Sequence, residues 1–298
     1  MTLAAENPLG HVLDRPLLPA LPGLEKLGPL LTMHTLTMLA ASALLVVLLI
    51  KAAGAITTGP ESLGNERFIT KGRFSQMIEV IVVYLRDTVM KPQLGAETDR
   101  FAPFLLTIFF FILINNLLGL VPLLDLQHLF GALVLKDGHF AVIGGTATGR
   151  LAVTAALATV AFVVIHVNAL RHGGFKNWAK HFLGGGPAYL APIMLPVEIM
   201  GTIVKPAALT IRLFANMTAG HVLLAVLLLF TAAAPKALGA LGAPISLVAV
   251  LAAVAIMTLE LFVAFLQAFI FMFLTTLFIS QFMHHENDEH GHEAAHAH

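Results

Sequence analysis

Apolar residues along this chain gather into five long runs, and polar residues fall almost entirely between them. The runs lie at about 34–52, 101–121, 148–170, 188–230 and 244–283. A membrane crossing needs about 20 predominantly apolar residues, with a lower bound near 17, so each run predicts a spanning helix. The last two are about twice the length one crossing needs. A helix through either would be roughly 60 Å long at about 1.5 Å per residue, against a hydrocarbon core about 30 Å thick. No polar break divides either run, and only AAAPKALGALGA separates them. The pattern predicts an antiparallel hairpin of two long, steeply tilted helices. Pro192, Pro196 and Pro206 are candidates for bends in its first arm.

The stretches between the runs have distinct characters. Residues 1–33 carry five prolines and no apolar core of signal-peptide length, so they read as an extramembrane arm. Between Lys51 and Arg100 there are seven Lys/Arg, and over about 74–91 apolar residues recur at helical spacing. This predicts an amphipathic helix on the membrane surface, closed by Pro92. GGTATG at 144–149 lacks the spacing of a phosphate-binding loop and reads as a flexible approach to the third span. Residues 284–298 form a His- and acid-rich tail, and 34–283 form a single membrane domain. Cytoplasmic loops hold the excess of Lys and Arg. The basic loops 51–100 and 171–187 are therefore assigned inside, and 122–147 and 231–243 outside. Five crossings then leave the N-terminus outside and the C-terminus in the cytoplasm.

Composition narrows the class. Hydrophobic residues make up 58% of the 298 and charged residues 11%, where soluble domains carry about 25% charged. The chain is therefore expected to be an all-α integral membrane protein with five crossings and one surface helix. A formal net charge of zero offers nothing to nucleic acid. With no cysteine there is no disulfide, thiolate nucleophile or thiolate-bound metal.

Chemistry is concentrated in the polar residues of the two longest runs. An arginine at the centre of an apolar span costs at least about 2.5–3.5 kcal/mol and marks an ion path or a buried acidic partner. Arg212 is such a residue, with more than three apolar turns on either side. Glu198, Lys205 and Arg212 are spaced by seven and share one stripe, with Asn216 close to it. His221 falls on the opposite face. In the last run, Glu260 and Gln267 are again seven apart. The midpoints of Arg212 with Gln267 and of His221 with Glu260 both fall in the turn near Gly239 to Leu241. Each pair is therefore expected at one level of the hairpin. Polar groups above and below a central cation suggest two offset water-filled half-paths. Asn115 and Asn116 in the second span are read as interhelical hydrogen-bonding residues. His166 and Asn168 are placed at the interface.

KPAALTIRLFANMTAGH and the later LQAFIFMFLT resemble subunit a of F-type ATP synthases. The likeness runs from the NNLLGLVP span to the final helix. It implies a five-crossing stator subunit beside a c-subunit ring, with b-type peripheral stalk subunits as further partners, in an energy-transducing membrane such as the bacterial inner membrane. It also implies no catalytic nucleotide site, cofactor or metal in this chain. By position, Arg212 corresponds to the family's essential arginine, Asn216 and Gln267 to polar positions beside it, and Glu198 to an acidic position on the cytoplasmic side. His221 and Glu260 stand where enteric relatives carry Glu and His, so acid and imidazole are exchanged. Gly119 stands where some relatives have an aspartate.

Two other readings compete. In the first, a secondary transporter would hold an anionic substrate on Arg212; internal repeats, which would support it, are not visible. In the second, HEAAH at His292 to His296 matches the zinc-protease pattern. It lies in a low-complexity tail with no apolar frame around it.

Overall fold

The structure, a computed structural model, describes residues 33–59, 68–121, 149–181 and 191–295. Nearly all of the N-terminal arm, the loop 122–148 with Asp125 and Asp137, Gly184 to Gly186 and the side chains of the tail lie outside the described residues. What is described is nearly all helical. Five helices are long and apolar enough to cross a membrane: His34–Gly54, Arg73–Leu120, Leu151–Arg171, Pro192–Leu238 and Gly242–Gln281.

Helix α1 is Met33–Gly54. Its buried positions His34, Thr37, Ala41, Leu45 and Ala52 recur at three and four residues, whereas Leu39, Val46, Val47 and Ile50 are exposed. Small and polar residues on the packed stripe, with large apolar ones outside, are what a helix in lipid requires. Lipid tails take the aliphatic side chains, and small side chains let helices approach.

A two-stranded ribbon follows, which the hydrophobic pattern did not predict. β1 (Ile56–Thr58) pairs antiparallel with β2 (Phe68–Thr70), with Thr57 opposite Ile69. Gln76 anchors the ribbon by donating to the Thr70 carbonyl at 3.1 Å.

α2 (Arg73–Tyr84) presents Phe74, Met77, Val80, Val83 and Tyr84 outward and buries Ser75. Its outer apolar face suits the surface position inferred from sequence. The backbone then widens into a π-helical turn, Leu85–Met90, and continues as α3, Lys91–Leu94. Pro92 does not close this helix. The chain stays helical through it, from the π-helical turn into α3. The break comes at Gly95, whose φ is 56°, a left-handed value that glycine adopts without steric cost. The π-helical turn buries Leu85, Val89 and Met90 on one side. Arg86 projects from it to donate to Asp99 through Nη2 at 2.6 Å and Nε at 3.0 Å.

α4 (Thr98–Leu120) is the most enclosed of the spanning segments; Leu105, Phe109, Ile112, Asn115 and Asn116 are all fully buried. α5 is the helical run Leu151–His181, interrupted at Gly174 by a non-helical backbone with φ 70°. α6 (Ala191–Leu238) runs through Pro196 and Pro206 without ending. A single 3-10 turn, Gly239–Leu241, leads into α7, Gly242–Ala295.

The described residues divide between two compact units. One comprises 33–43, 111–121, 149–154 and 211–268; the other comprises 44–59, 68–110, 155–181, 191–210 and 269–295. In the first, α6 and α7 meet at their turn. Ser246 donates to the Thr231 carbonyl at 3.0 Å, and Gly242 lies against the Ala234 carbonyl and the Pro235 nitrogen. Asn116 of α4 donates to the Ala264 carbonyl of α7 at 3.3 Å. In the second unit, Ser280 of α7 donates to the Gln93 carbonyl at 2.7 Å.

The approach at Gly242 generates a prediction. A Cβ there would overlap the Ala234 carbonyl, and backbone cannot yield as a side-chain tip can. Gly242→Ala is expected to destabilise the turn by about 1–3 kcal/mol, the usual range for overpacking. A lowered melting temperature of the detergent-purified protein checks this.

Candidate functional site

Helix periodicity sorts the polar residues of the first unit. On α6, Leu209, Leu213 and Met217 are buried at intervals of four. Arg212, one step ahead of Leu213, is turned outward and exposed. Its neighbour Ile211 is 59% exposed. Among the described residues, no carboxylate forms an ion pair with Arg212. The guanidinium therefore stands on an open apolar surface. Asn216, one turn further, is half-buried. On α7, Gln267 is buried beside the fully buried Ala264 and Ala268.

His221 and Glu260 are both half-buried. The contact that fixes their level is made by the residue before the histidine. A Cβ on Gly220 would overlap the Glu260 carboxylate, reaching Oε1 and Cδ. Absence of a side chain at 220 thus gives the carboxylate room to lie against α6. The imidazole next in sequence and the carboxylate of α7 are at one height of the hairpin, as the turn midpoint predicted. Gly220 was not singled out from sequence, because a glycine among apolar residues has no signal of its own. Its use appears only once the partner helix is present.

Glu198 belongs to the second unit, where it lines a small, open cleft. His166, Thr202, Lys205, Phe278 and Gln281 share that lining. Lys205 Nζ donates to Gln281 Oε1 at 3.4 Å and stands 5.0 Å from the centre of the Phe278 ring. Thr202 returns its hydroxyl to the Glu198 carbonyl at 2.8 Å. His166, read from the sequence as an interfacial residue, lines this cleft. The sequence did signal an imidazole in an apolar run; which groups α6 and α7 would bring to it could not be read from α5.

Ionisable and amide side chains within membrane-length helices mark ion pathways or relays. With this helical architecture, they define a multi-pass, ion-translocating membrane protein. The family is narrower than that class. The sequence profile of the ATP synthase A chain matches residues 35–280, and the chain belongs to that family. ATP synthase subunit a of Myxococcus xanthus is 39% identical over 268 residues, covering 88% of this chain and 77% of the relative. Subunit a of Anaeromyxobacter dehalogenans is 40% identical over 88% of this chain, which spans only 60% of that relative's length. Subunit a of Pelodictyon phaeoclathratiforme is 36% identical over 94% of this chain and 73% of its own. These are bacterial proteins, and the chain is a multi-pass membrane protein of that kind. The family is an ion-translocating one of the membrane sector, not the catalytic, nucleotide-binding one.

Gly220→Ala tests the contact with Glu260. The clash falls on the end of a flexible side chain, so the helices are expected to stay packed and the carboxylate to be pushed out. The melting temperature should change little, while a carbodiimide modifies Glu260 faster, as followed by peptide mass spectrometry.

Proposed function

We propose that the chain is the stator subunit of the proton channel of an F-type ATP synthase, in which Arg212 acts on the carboxylates of a c-subunit ring. Family membership supports the stator role. The observation that carries the finer reading is the position of Arg212, exposed on an apolar helix with no carboxylate of the described chain paired to it. A cation kept at such a cost is offset by an acidic partner from outside the chain.

The chemistry follows from the residue types. A guanidinium stays protonated where a lysine can lose its proton. Its field favours the ionised form of a facing carboxylate, so a protonated rotor carboxyl group gives up its proton on arrival. The same charge repels a proton or other cation moving straight past it. His221 and Glu260, at one height of the hairpin, relay protons on the extracytoplasmic side. Glu198 in its cleft serves release toward the cytoplasm, and Asn216 and Gln267 line the way beside the arginine. The two half-channels are offset, so ions cross only by riding the rotor. The hairpin is tilted along the ring, b-type subunits brace the chain, and the N-terminus lies outside with the C-terminus in the cytoplasm of the inner membrane. The alternative of a secondary transporter with an anion on Arg212 loses its ground to the family match.

Arg212→Ala is expected to abolish proton-driven ATP synthesis in membrane vesicles, and Arg212→Lys to impair it severely; wild-type rates for Arg212→Ala would end this reading. For the relay, His221→Ala and Glu260→Ala should be strongly non-additive in proton conductance, with an interaction of about 0.5–3 kcal/mol. Simple additivity of the two losses would separate them into independent residues.

A further inference from the structure

His166 is the one ionisable group of the second unit's cleft that neither motif nor spacing assigns to the ion path. It comes from α5, whereas Glu198 and Lys205 come from α6. Its ring is held in a defined pose. It lies 4.0 Å from the Phe162 ring at 30°, and the Trp178 ring meets it edge-on at 6.4 Å and 74°. Trp178 follows the Gly174 break, so the reversed backbone there brings the indole back to the imidazole. His166 Nδ1 lies 2.9 Å from the Phe162 carbonyl oxygen. That oxygen can only accept, so Nδ1 carries the hydrogen of the neutral ring. Protons are then gained and lost at Nε2.

We propose that His166 is a proton-transfer residue of this cleft, working with Glu198 on the release side. The inference rests on the reading of Glu198 as part of the ion path. In each passage the Glu198 carboxyl group gives its proton, directly or through a water in the cleft, to His166 Nε2. Glu198 is left as carboxylate and His166 as imidazolium. The imidazolium then passes the proton to water at the cleft mouth and returns to its neutral form. Glu198, Thr202, Lys205 and Gln281 bring polar groups to a lining that Phe162, Ile165, Pro206 and Phe278 otherwise keep apolar. The charged groups lining it with His166 are Glu198 and Lys205. Lys205, engaged with Gln281 and Phe278, disfavours a lasting imidazolium and so favours passing the proton on. Phe278 and Gln281 from α7 carry no charge.

The test uses the complete ATP synthase in liposomes. His166→Gln keeps a polar side chain that does not titrate, and His166→Phe removes both polarity and titration. Both should assemble and lose about three- to ten-fold in proton-driven synthesis, less than the usual factor for a general acid–base group because water takes over part of the transfer. The dependence on pH at the cytoplasmic face should flatten between about pH 5 and 8, where imidazole exchanges protons. Wild-type rate and pH profile in His166→Gln overturn the proposal. Arg212→Ala in the same liposomes separates it from the underlying reading: an inactive Arg212→Ala beside a normal His166→Gln removes the His166 role alone. Should neither variant assemble, the unsubstituted complex decides. His166 must then be acylated by diethyl pyrocarbonate from the cytoplasmic face, and a protected His166 overturns the proposal.

Discussion

A guanidinium on the open apolar face of a long helix is the constraint on which this molecule turns. Its placement costs at least about 2.5–3.5 kcal/mol in a bilayer, comparable with overpacking a core. The chain does nothing to relieve that cost among its described residues. Large apolar side chains are exposed on the same unit, Ile211 and Leu223 on α6 and Leu259, Phe262 and Phe265 on α7. Polar neighbours are set into the side of the hairpin that packs, and Gln267 is buried there.

The hairpin meets the second requirement, which is to hold acid and imidazole at matching heights, with a hydrogen bond from Ser246 to the Thr231 carbonyl near the turn. Its register is set by near-contacts of backbone and small residues. Gly242 closes the turn against the Ala234 carbonyl, and Gly220 makes room for the Glu260 carboxylate. Asn116 ties α4 to α7 through the Ala264 carbonyl. Interhelical hydrogen bonds of this kind contribute about 0.6 kcal/mol on average, so such links orient the helices more than they stabilise them.

How much of this could be read from residues alone depends on the range of the interaction. The five apolar runs gave the spanning helices, because a bilayer imposes one length scale on any chain that crosses it. The turn between α6 and α7 was legible from the matched spacing of Arg212, His221, Glu260 and Gln267. The ribbon at Ile56–Thr58 and Phe68–Thr70 was not, since three-residue strands are too short to show an alternating pattern. Nor was the π-helical turn at Leu85–Met90, which follows from where Leu85, Val89 and Met90 must bury. Pro92 looked like a stop because proline usually breaks a helix; here the helix runs through it, and Gly95 makes the break. Gly220 and the company kept by His166 depend on helices far apart in sequence, and no local pattern records them.

The sparse coverage of α6 and α7 has a consequence for the life of the molecule. Of their most apolar stretches, 11% and 17% respectively are buried by the chain's own residues. The rest of each stretch is left for lipid and for the membrane sector to cover, and whatever binds the folded chain there adds to its stability. A copy without neighbours keeps the apolar faces of these two helices and the Arg212 side chain exposed.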